Sequence, residues 1–387
     1  MITGKRIVPD PIRWGMVGGG DGSQIGYIHR SAALRDRAFA LVAGAFDIDP
    51  ARGRAFGLEL GLEAGRSYPD YATMLSAEAE RPDGIQAVSI ATPNNTHYAI
   101  CKAALEHGLH VICEKPLCFT VTEAEELKAL SGARGRIVGV TYGYAGYQMI
   151  EQARAMVKRG DLGDIRIVNL QFAHGFHATA VEEHIPAARW RVDPRFAGPS
   201  YVLGDIGTHP FYISEVILPH LRIKRLMCVR QSFVKSRAPL EDNAVTLMEY
   251  DNGAIGTVWS SAVNAGSMHS QKVRIVGSKA SLEWWDERPN QLSYEVQGEP
   301  ARVLERGMGY LVPAALAEDR IGGGHPEGLF EAWANLYNRF ALAMTHADTS
   351  DEAPMRYPDI TAGVEGVRWV ENCVRSADAG GVWVDYR

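Results

Sequence analysis

Short apolar runs alternate with amphipathic stretches along the first part of the chain. The apolar runs cover residues 12–17, 40–46, 87–91, 111–113 and 137–140. Between them, residues 25–37, 51–60 and 97–107 have helical patterns, and Thr120 with Glu123 has the spacing of a helix capping box. Strand and helix patterns that alternate at this scale predict a parallel β-sheet covered by helices on both faces.

The pattern changes after residue 145. A helical stretch at 149–159 is followed by strand-like runs at 165–172, 226–234, 244–250, 254–263 and 272–276, and then by helical stretches at 329–344 and 360–376. Asn252-Gly253 lies between two of these runs, and this dipeptide favours a hairpin turn. Runs joined by short turns predict a mostly antiparallel sheet. We therefore predict an α/β protein with domains over residues 1–145 and 146–387.

Composition and charge narrow the class of protein. Hydrophobic residues make up 46% of the 387 residues, and the formal net charge is −6 with acidic and basic side chains interspersed. This balance is typical of a soluble globular protein. Because there is no basic stripe, nucleic acid and an anionic membrane surface are both unfavoured as partners.

Cysteine usage and the N-terminal sequence bear on the location of the protein. The five cysteines include no CxxC pair, which disfavours a disulfide framework and a zinc ribbon. No apolar stretch precedes the first predicted strand, so we expect no signal peptide and a cytoplasmic location. His174, His177 and His184 lack accompanying acidic ligands, so we expect no bound metal.

A glycine-rich segment follows the first predicted strand and opens the first predicted helix. Its residues of interest are Gly18, Gly20, Ser23, Gln24, Ile25 and Gly26. Glycines let a turn approach a pyrophosphate closely, and a helix N-terminus offers free N–H groups to an anion. Gly18 and Gly20 fit the first two positions of GxGxxG, and Gly26 supplies the third after an insertion. An ordinary glycine-rich turn is the alternative.

Asp47 ends the second predicted strand, where an acid can accept hydrogen bonds from both ribose hydroxyls of adenosine. It would repel a 2′-phosphate, so the sequence favours NAD over NADP, although Arg52 and Arg54 could weaken that preference. The alternative is that Asp47 is a helix cap or turn residue, a role for which Asp49 competes.

Three further segments, in order along the chain, specify the family more closely. They are Ala91-Thr92-Pro93-Asn94-Asn95-Thr96-His97, Glu114-Lys115-Pro116 and Gly204-Asp205-Ile206-Gly207-Thr208-His209. With the glycine loop, they resemble the glucose–fructose oxidoreductase/inositol dehydrogenase/rhizopine catabolism (Gfo/Idh/MocA) family. The resemblance implies an N-terminal Rossmann domain, a C-terminal α/β domain with a large, mostly antiparallel sheet, bound NAD, and dimers or tetramers that form through the open face of that sheet.

The resemblance also implies a catalytic set of Lys115, Asp205 and His209. Histidine has an unperturbed pKa of ~6.5, which suits a base that removes the proton of an alcohol. Asp205 lies four residues before His209, so a helix would place both side chains on one face. Lys115 can stabilise a developing alkoxide. The alternatives are a helix cap for Asp205, a core histidine for His209 and an exposed turn lysine for Lys115.

The remaining predicted site residues are weaker. Thr92, Asn94 and His97 are expected at the nicotinamide end of the cofactor groove, with a turn and helix cap as the alternative. Glu114 is expected to contact the cofactor. The residues expected to contact substrate are Tyr144, Tyr147, Arg191 and His325, and each has a structural alternative.

Within the family, the glycine loop and residues 323–328 look most like enzymes acting on scyllo-inositol, L-glucose or levoglucosan. The sequence therefore predicts an NAD-dependent dehydrogenase for a secondary hydroxyl of a sugar or cyclic polyol. A keto-sugar reductase, a redox-assisted glycoside hydrolase and a non-catalytic NAD sensor remain alternatives. The sensor is disfavoured because Lys115 and His209 are both present.

Overall fold

The protein is described by a computed structural model that covers residue 2, residue 4 and residues 6–346 and 357–387, without the side chains of residues 186 and 187. Its strands are β1 Ile12–Gly18, β2 Phe39–Ala45, β3 Ala87–Ala91, β4 His110–Cys113, β5 Val138–Val140, β6 Ile165–Ala173, β7 Ile223–Gln231, β8 Asn243–Tyr250, β9 Ile255–Ser261, β10 Gln271–Gly277, β11 Ala280–Trp285, β12 Gln291–Val296, β13 Arg302–Glu305 and β14 Val384–Asp385. Its helices are α1 Gln24–Arg35, α2 Pro50–Glu59, α3 Tyr71–Ala79, α4 His97–Glu106, α5 Val121–Arg134, α6 Gln148–Arg159, α7 Pro194–Ala197, α8 Thr208–Ile217, α9 Pro313–Ala317, α10 Leu329–Thr345 and α11 Ile360–Asp378.

Contacts divide the chain into two compact units. The first unit contains Ile2–Gly143 and Leu329–Val364, and the second contains Tyr144–Gly328 and Glu365–Arg387. The boundary after residue 143 lies close to the sequence-predicted one at 145. The stretch Leu329–Val364 groups with the first unit, whereas the sequence assigned it to the second domain.

The first unit is built on a parallel sheet, as the alternating pattern predicted. Among the described residues, five strands form this sheet in the order β2-β1-β3-β4-β5. The strand β3 is buried along its whole length, as expected for a strand covered on both faces. Thr120 accepts from the N–H of Glu123 and forms the predicted capping box of α5. Helix α3 was not predicted.

Helix α10 joins the first unit because its apolar side is covered there. It packs along α1. Tyr337, Trp333 and Phe340 of α10 are buried and belong to one core cluster with Trp14 of β1 and Phe39 of β2. The sequence indicates an amphipathic helix at this position, but the hydrophobic pattern alone does not say which sheet the helix covers.

The second unit is built on a large, mostly antiparallel sheet. Within the part of the chain that the structure describes, nine strands follow the order β13-β12-β11-β10-β6-β9-β8-β7-β14, with β6 and β9 parallel. Asn252 and Gly253 form the turn between the antiparallel strands β8 and β9, and Gly253 has a φ of +85°. The predicted hairpin is confirmed, as is the overall α/β class.

The two faces of this large sheet differ. Helix α8 packs on one face, against β6 and β10. The opposite face carries partly exposed apolar side chains, among them Ile167, Val229, Val245 and Ile255. An exposed apolar surface of this kind is typical of an interaction face. Assembly of copies through this face stays a prediction. No helix among the described residues combines the length and the apolar character needed to span a membrane.

A buried ion pair in the first unit generates a stability prediction. Arg66 is buried and donates to both carboxylate oxygens of Glu78, which also accepts from the hydroxyl of Tyr68 at 2.8 Å. Removing one partner of a buried pair leaves a buried charge without compensation. We expect Arg66→Ala to lower the free energy of unfolding in urea by about 3–5 kcal/mol.

The matched control is Arg81→Ala, which removes an arginine that pairs with Asp83 at the surface. Surface pairs contribute little, so this variant should unfold close to wild type. Equal losses in the two variants would contradict the importance that we assign to the buried pair.

Candidate active site

The glycine-rich turn between β1 and α1 can only be built with glycine at several positions. Gly18 has a φ of +74°, and a Cβ there would lie 2.5 Å from the carbonyl oxygen of Ala91. A Cβ on Gly26 would lie 2.2 Å from the carbonyl oxygen of Gly19. Gly26 therefore lets α1 pack directly on the turn, which is the role of the third glycine in a dinucleotide fingerprint. The alternative of an unspecialised turn does not account for this packing.

The N-terminus of α1 is shaped to hold an anion. Ser23 is the N-cap, and its hydroxyl accepts from the N–H of Gly26 at 3.1 Å. Gln24 and Ile25 occupy the first helical turn, where backbone N–H groups have no partner within the helix. A Cβ on Gly20 would fill the approach to this turn, 2.7 Å from the carbonyl oxygen of Phe46. These features fit the pyrophosphate of NAD.

Asp47 follows β2 and does not cap α2. Asp49 is the cap, and its carboxylate accepts from the N–H of Ala51 at 2.8 Å. One carboxylate oxygen of Asp47 accepts from the N–H of Asp49 at 2.9 Å, and the other lies 3.0 Å from the guanidinium of Arg52. Asp47 therefore forms a local turn and still carries a carboxylate next to an exposed arginine.

The loops after β3 and β4 are tied together by His97. This ring is fully buried, with Nδ1 2.8 Å from the carbonyl oxygen of Pro116 and Nε2 2.9 Å from that of Thr92. Burial lowers the pKa of His97, although the two carbonyl oxygens oppose the shift. A neutral ring has one N–H and donates to one of the two carbonyl oxygens at a time. In either tautomer, His97 lies between the two loops and contacts both. Asn94 is buried at the start of the short helical turn that leads from β3 into α4.

Glu114 is a buried carboxylate at the end of β4. Burial disfavours its charge, but hydrogen bonds from His29 at 3.1 Å and from the hydroxyl of Thr141 outweigh burial and hold the pKa of Glu114 below its usual value. Lys115, the next residue, also favours the charged form. Lys115 is half-buried and precedes Pro116 through a cis peptide bond.

A chain of hydrogen bonds extends from Glu114 through the core of the first unit. If His29 donates from Nε2 to Glu114, its Nδ1 accepts from the hydroxyl of Tyr337 at 2.6 Å. Tyr337 accepts from Ser89 at 2.8 Å, and Ser89 accepts from the indole N–H of Trp14 at 2.9 Å. Every link then donates in the same direction, towards the carboxylate, and such chains strengthen each other. His29 and Tyr337 were not predicted, since nothing in their local sequence marks them.

The second unit brings Asp205 and His209 onto one helical segment. Asp205 lies in a π-helical turn, Leu203–Gly207, that runs directly into α8, and His209 is in the first turn of α8. Turns of the π type are rare and occur frequently at functional sites. Nε of Arg191 lies 3.5 Å from a carboxylate oxygen of Asp205. The backbone of Asp205 is thus fixed in a helical turn, and its carboxylate faces an arginine.

His209 is surrounded by rings. It is buried, and the ring of Tyr144 packs edge-on against it at a centroid distance of 4.9 Å. Phe172 lies 6.1 Å from His209 and 4.4 Å from His269. His174 is a further imidazole near Asp205, and burial lowers its pKa to about 4. Sequence reasoning missed His269 and Phe172, and considered His174 only as a metal ligand.

The four residues that were predicted to contact substrate do not all lie in one place in the structure. Tyr144 lies beside His209, and Arg191 lies beside Asp205. Tyr147 is buried and packs against Trp284 at 5.5 Å. His325 lies in an exposed loop whose shape depends on buried Arg306, which donates to the carbonyl of His325 and pairs with Asp319 at 2.8 Å. In the described chain, no group of three or more His, Cys, Asp or Glu side chains is placed to hold a metal ion.

A glycine cradle at the end of a parallel strand, opening a helix, is typical of a protein that binds a dinucleotide. The model of the NAD-binding Rossmann fold of the Gfo/Idh/MocA oxidoreductases matches residues 12–142, and the model of their C-terminal alpha/beta domain matches residues 154–385. The chain belongs to this family and is an NAD-binding oxidoreductase.

Two solved structures and one further relative extend over the whole chain. The inositol dehydrogenase homolog of Azotobacter vinelandii complexed with NAD+ is 71% identical, covers 100% of both chains and has a TM-score of 0.98. The same homolog complexed with NADH and myo-inositol is 69% identical, covers 99% of this chain and 100% of that one, and has a TM-score of 0.94. The uncharacterized oxidoreductase YfiI of Bacillus subtilis is 60% identical over 100% of both chains.

Asp47 and Arg52 generate a prediction about cofactor choice. Asp47→Ala removes a carboxylate that can accept from the adenosine ribose and frees Arg52 to contact a 2′-phosphate. We expect the ratio of the NADP Kd to the NAD Kd to fall by about 10-fold or more, since a hydrogen bond to a charged group contributes ~1.5–3 kcal/mol. Fluorescence titration of both cofactors measures this ratio.

Two control variants separate the contributions. Arg52→Ala keeps the carboxylate and should retain the preference for NAD. The double variant D47A/R52A should bind NADP less well than Asp47→Ala alone, because the free guanidinium is gone. An unchanged ratio in Asp47→Ala would show that Asp47 does not discriminate between the cofactors.

Proposed function

We propose that the protein is an NAD-dependent dehydrogenase that oxidises a secondary hydroxyl of an inositol or a related sugar. The observation that carries the proposal is the buried His209 on the same helical segment as Asp205, with Tyr144 packed on His209 and Arg191 close to Asp205. The full-length similarity to an inositol dehydrogenase homolog that binds NADH and myo-inositol supports the choice of substrate class.

The roles follow from the chemistry of an alcohol oxidation. NAD, when bound, accepts the hydride that leaves the carbon. His209 accepts the hydroxyl proton, and Asp205 and Arg191 orient the substrate and the ring. The ammonium of Lys115 can stabilise negative charge that develops on a substrate oxygen. A hydroxyl-rich ring suits these groups, because an imidazole and a phenol can donate to a hydroxyl or accept from it, and a guanidinium donates.

The same groups serve the reverse reaction, reduction of a keto-sugar, because His209 can return the proton that it accepts. The direction in the cell depends on the supply of substrates. Both directions require the lysine and the histidine, so variants at these two positions test the proposed reaction in either direction.

We expect Lys115→Ala and His209→Ala each to lower kcat for a polyol substrate by about 100-fold or more, the usual contribution of a charge-stabilising group and of an acid–base group respectively. The Kd for NAD should stay near that of wild type for His209→Ala. Reduction of NAD, followed by absorbance with myo-inositol and related polyols, measures kcat.

Matched controls exist for both changes. Lys102→Ala removes a lysine that pairs with Glu126 at the surface, and His107→Ala removes an exposed histidine whose ring contacts the carbonyl of Ala103. Both controls should turn over normally. Near-normal turnover in Lys115→Ala or His209→Ala would remove that residue from the mechanism.

A further inference from the structure

A second histidine lies beside the proposed catalytic histidine and contacts the same tyrosine. Nε2 of His269 is 3.2 Å from the hydroxyl oxygen of Tyr144, and its ring packs on Phe172. Phe172 and Tyr144 both also pack on His209. His269 comes from the segment just before β10, far along the chain from Tyr144. It was not among the predicted site residues.

The other nitrogen of His269 is fixed by a buried carboxylate. Nδ1 contacts Oδ2 of Asp286, whose side chain is only 4% exposed. A carboxylate accepts, so Nδ1 carries the proton, and in the neutral ring Nε2 is an acceptor. The hydroxyl of Tyr144 therefore donates to His269.

Asp286 itself is held in one orientation. Its Oδ1 accepts from the backbone N–H of Gln271 at 3.1 Å, and its own N–H donates to the carbonyl of Gln271 at 3.0 Å. The segment before Gln271 is fixed as well, because Glu287 accepts from the N–H groups of His269 and Ser270. The orientation of His269 is thus set by backbone contacts at the ends of β10 and β11.

We propose that the Asp286–His269 pair fixes the hydroxyl of Tyr144 as a hydrogen-bond acceptor for one hydroxyl of the polyol substrate. This inference rests on the proposed function and adds to it two positioning residues and one substrate contact. Because Tyr144 donates its own proton to His269, its oxygen presents lone pairs to the ligand. A substrate hydroxyl that donates to Tyr144 is held beside His209, whose ring packs on the same tyrosine.

Asp286→Asn is a sharp test because it exchanges one atom and predicts an inverted hydrogen-bond direction. The N–H of Gln271 requires an acceptor, so the amide oxygen of the new side chain stays there and its NH2 group faces Nδ1 of His269. The ring must then accept at Nδ1 and donate from Nε2, and Tyr144 becomes the acceptor of that bond. The O–H of Tyr144 then turns towards the substrate hydroxyl, which must change from donor to acceptor to keep the bond.

We expect Tyr144→Phe to raise the KM for myo-inositol by about 10-fold, the effect of losing one well-placed hydrogen bond. Asp286→Asn should raise it by a smaller factor, because the substrate hydroxyl can turn and accept. The kcat should change much less, and the Kd for NAD should not change. His269→Gln should have a KM close to that of wild type, because the amide oxygen of glutamine can accept from Tyr144. The control is Tyr294→Phe, which removes a hydroxyl that donates to the carbonyl of Asp161 at 3.3 Å.

A panel of monodeoxy-inositols gives a readout that a purely structural role would not move. For the one analogue that lacks the contacted hydroxyl, Tyr144→Phe should cause no further rise in KM. Wild-type turnover with an unchanged KM in Asp286→Asn and Tyr144→Phe would overturn this inference and leave the proposed function intact. Absence of polyol turnover and polyol binding in the wild type would overturn both.

Discussion

The carboxylate of Glu114 needs hydrogen-bond donors inside the core of the first unit. The arrangement of the elements around the glycine turn depends on which residues supply them. A buried charge is costly unless several donors surround it. Here the donors come from α1 through His29 and from the residue after β5 through Thr141. The series of hydrogen bonds continues through Tyr337 of α10 to side chains of β3 and β1. One carboxylate thus links the helix that opens at the glycine turn to the strand that precedes Lys115.

The second unit uses the same physical principle at the proposed substrate site. Asp286 is buried at the end of β11, and its two oxygens face a backbone N–H and an imidazole. In both units a carboxylate that is held by backbone or core contacts fixes the state of a histidine. The side chains that we propose to be catalytic therefore adjoin rigid supports, as the proposed hydride transfer demands.

Local patterns in the sequence were sufficient for the fold class and for the motif residues. Gly18 and Asp47 lie at the ends of predicted strands and Gly26 lies at the start of a predicted helix, where each has a recognisable local role. Asp205 and His209 lie on one helical segment, as their spacing along the chain predicted. These are contacts between residues that are close along the chain.

The features that escaped prediction are contacts between distant residues. Tyr144 and His269 are 125 positions apart, and His29 and Tyr337 are 308 apart. A lone histidine in an ordinary segment gives no sign of its partner. The position of α10 escaped for the same reason, since an apolar helix face does not specify which sheet covers it.

The most direct measurement of the central claim is transfer of a labelled hydride. Myo-inositol that carries deuterium on its ring carbons is incubated with the protein and NAD, and the reduced cofactor is analysed by mass spectrometry. Our account predicts reduced NAD that carries a single deuterium, together with a keto-inositol. Bound NAD that stays oxidised with labelled inositols and hexoses alike would contradict an alcohol dehydrogenation and favour a redox-assisted hydrolysis or a sensing role.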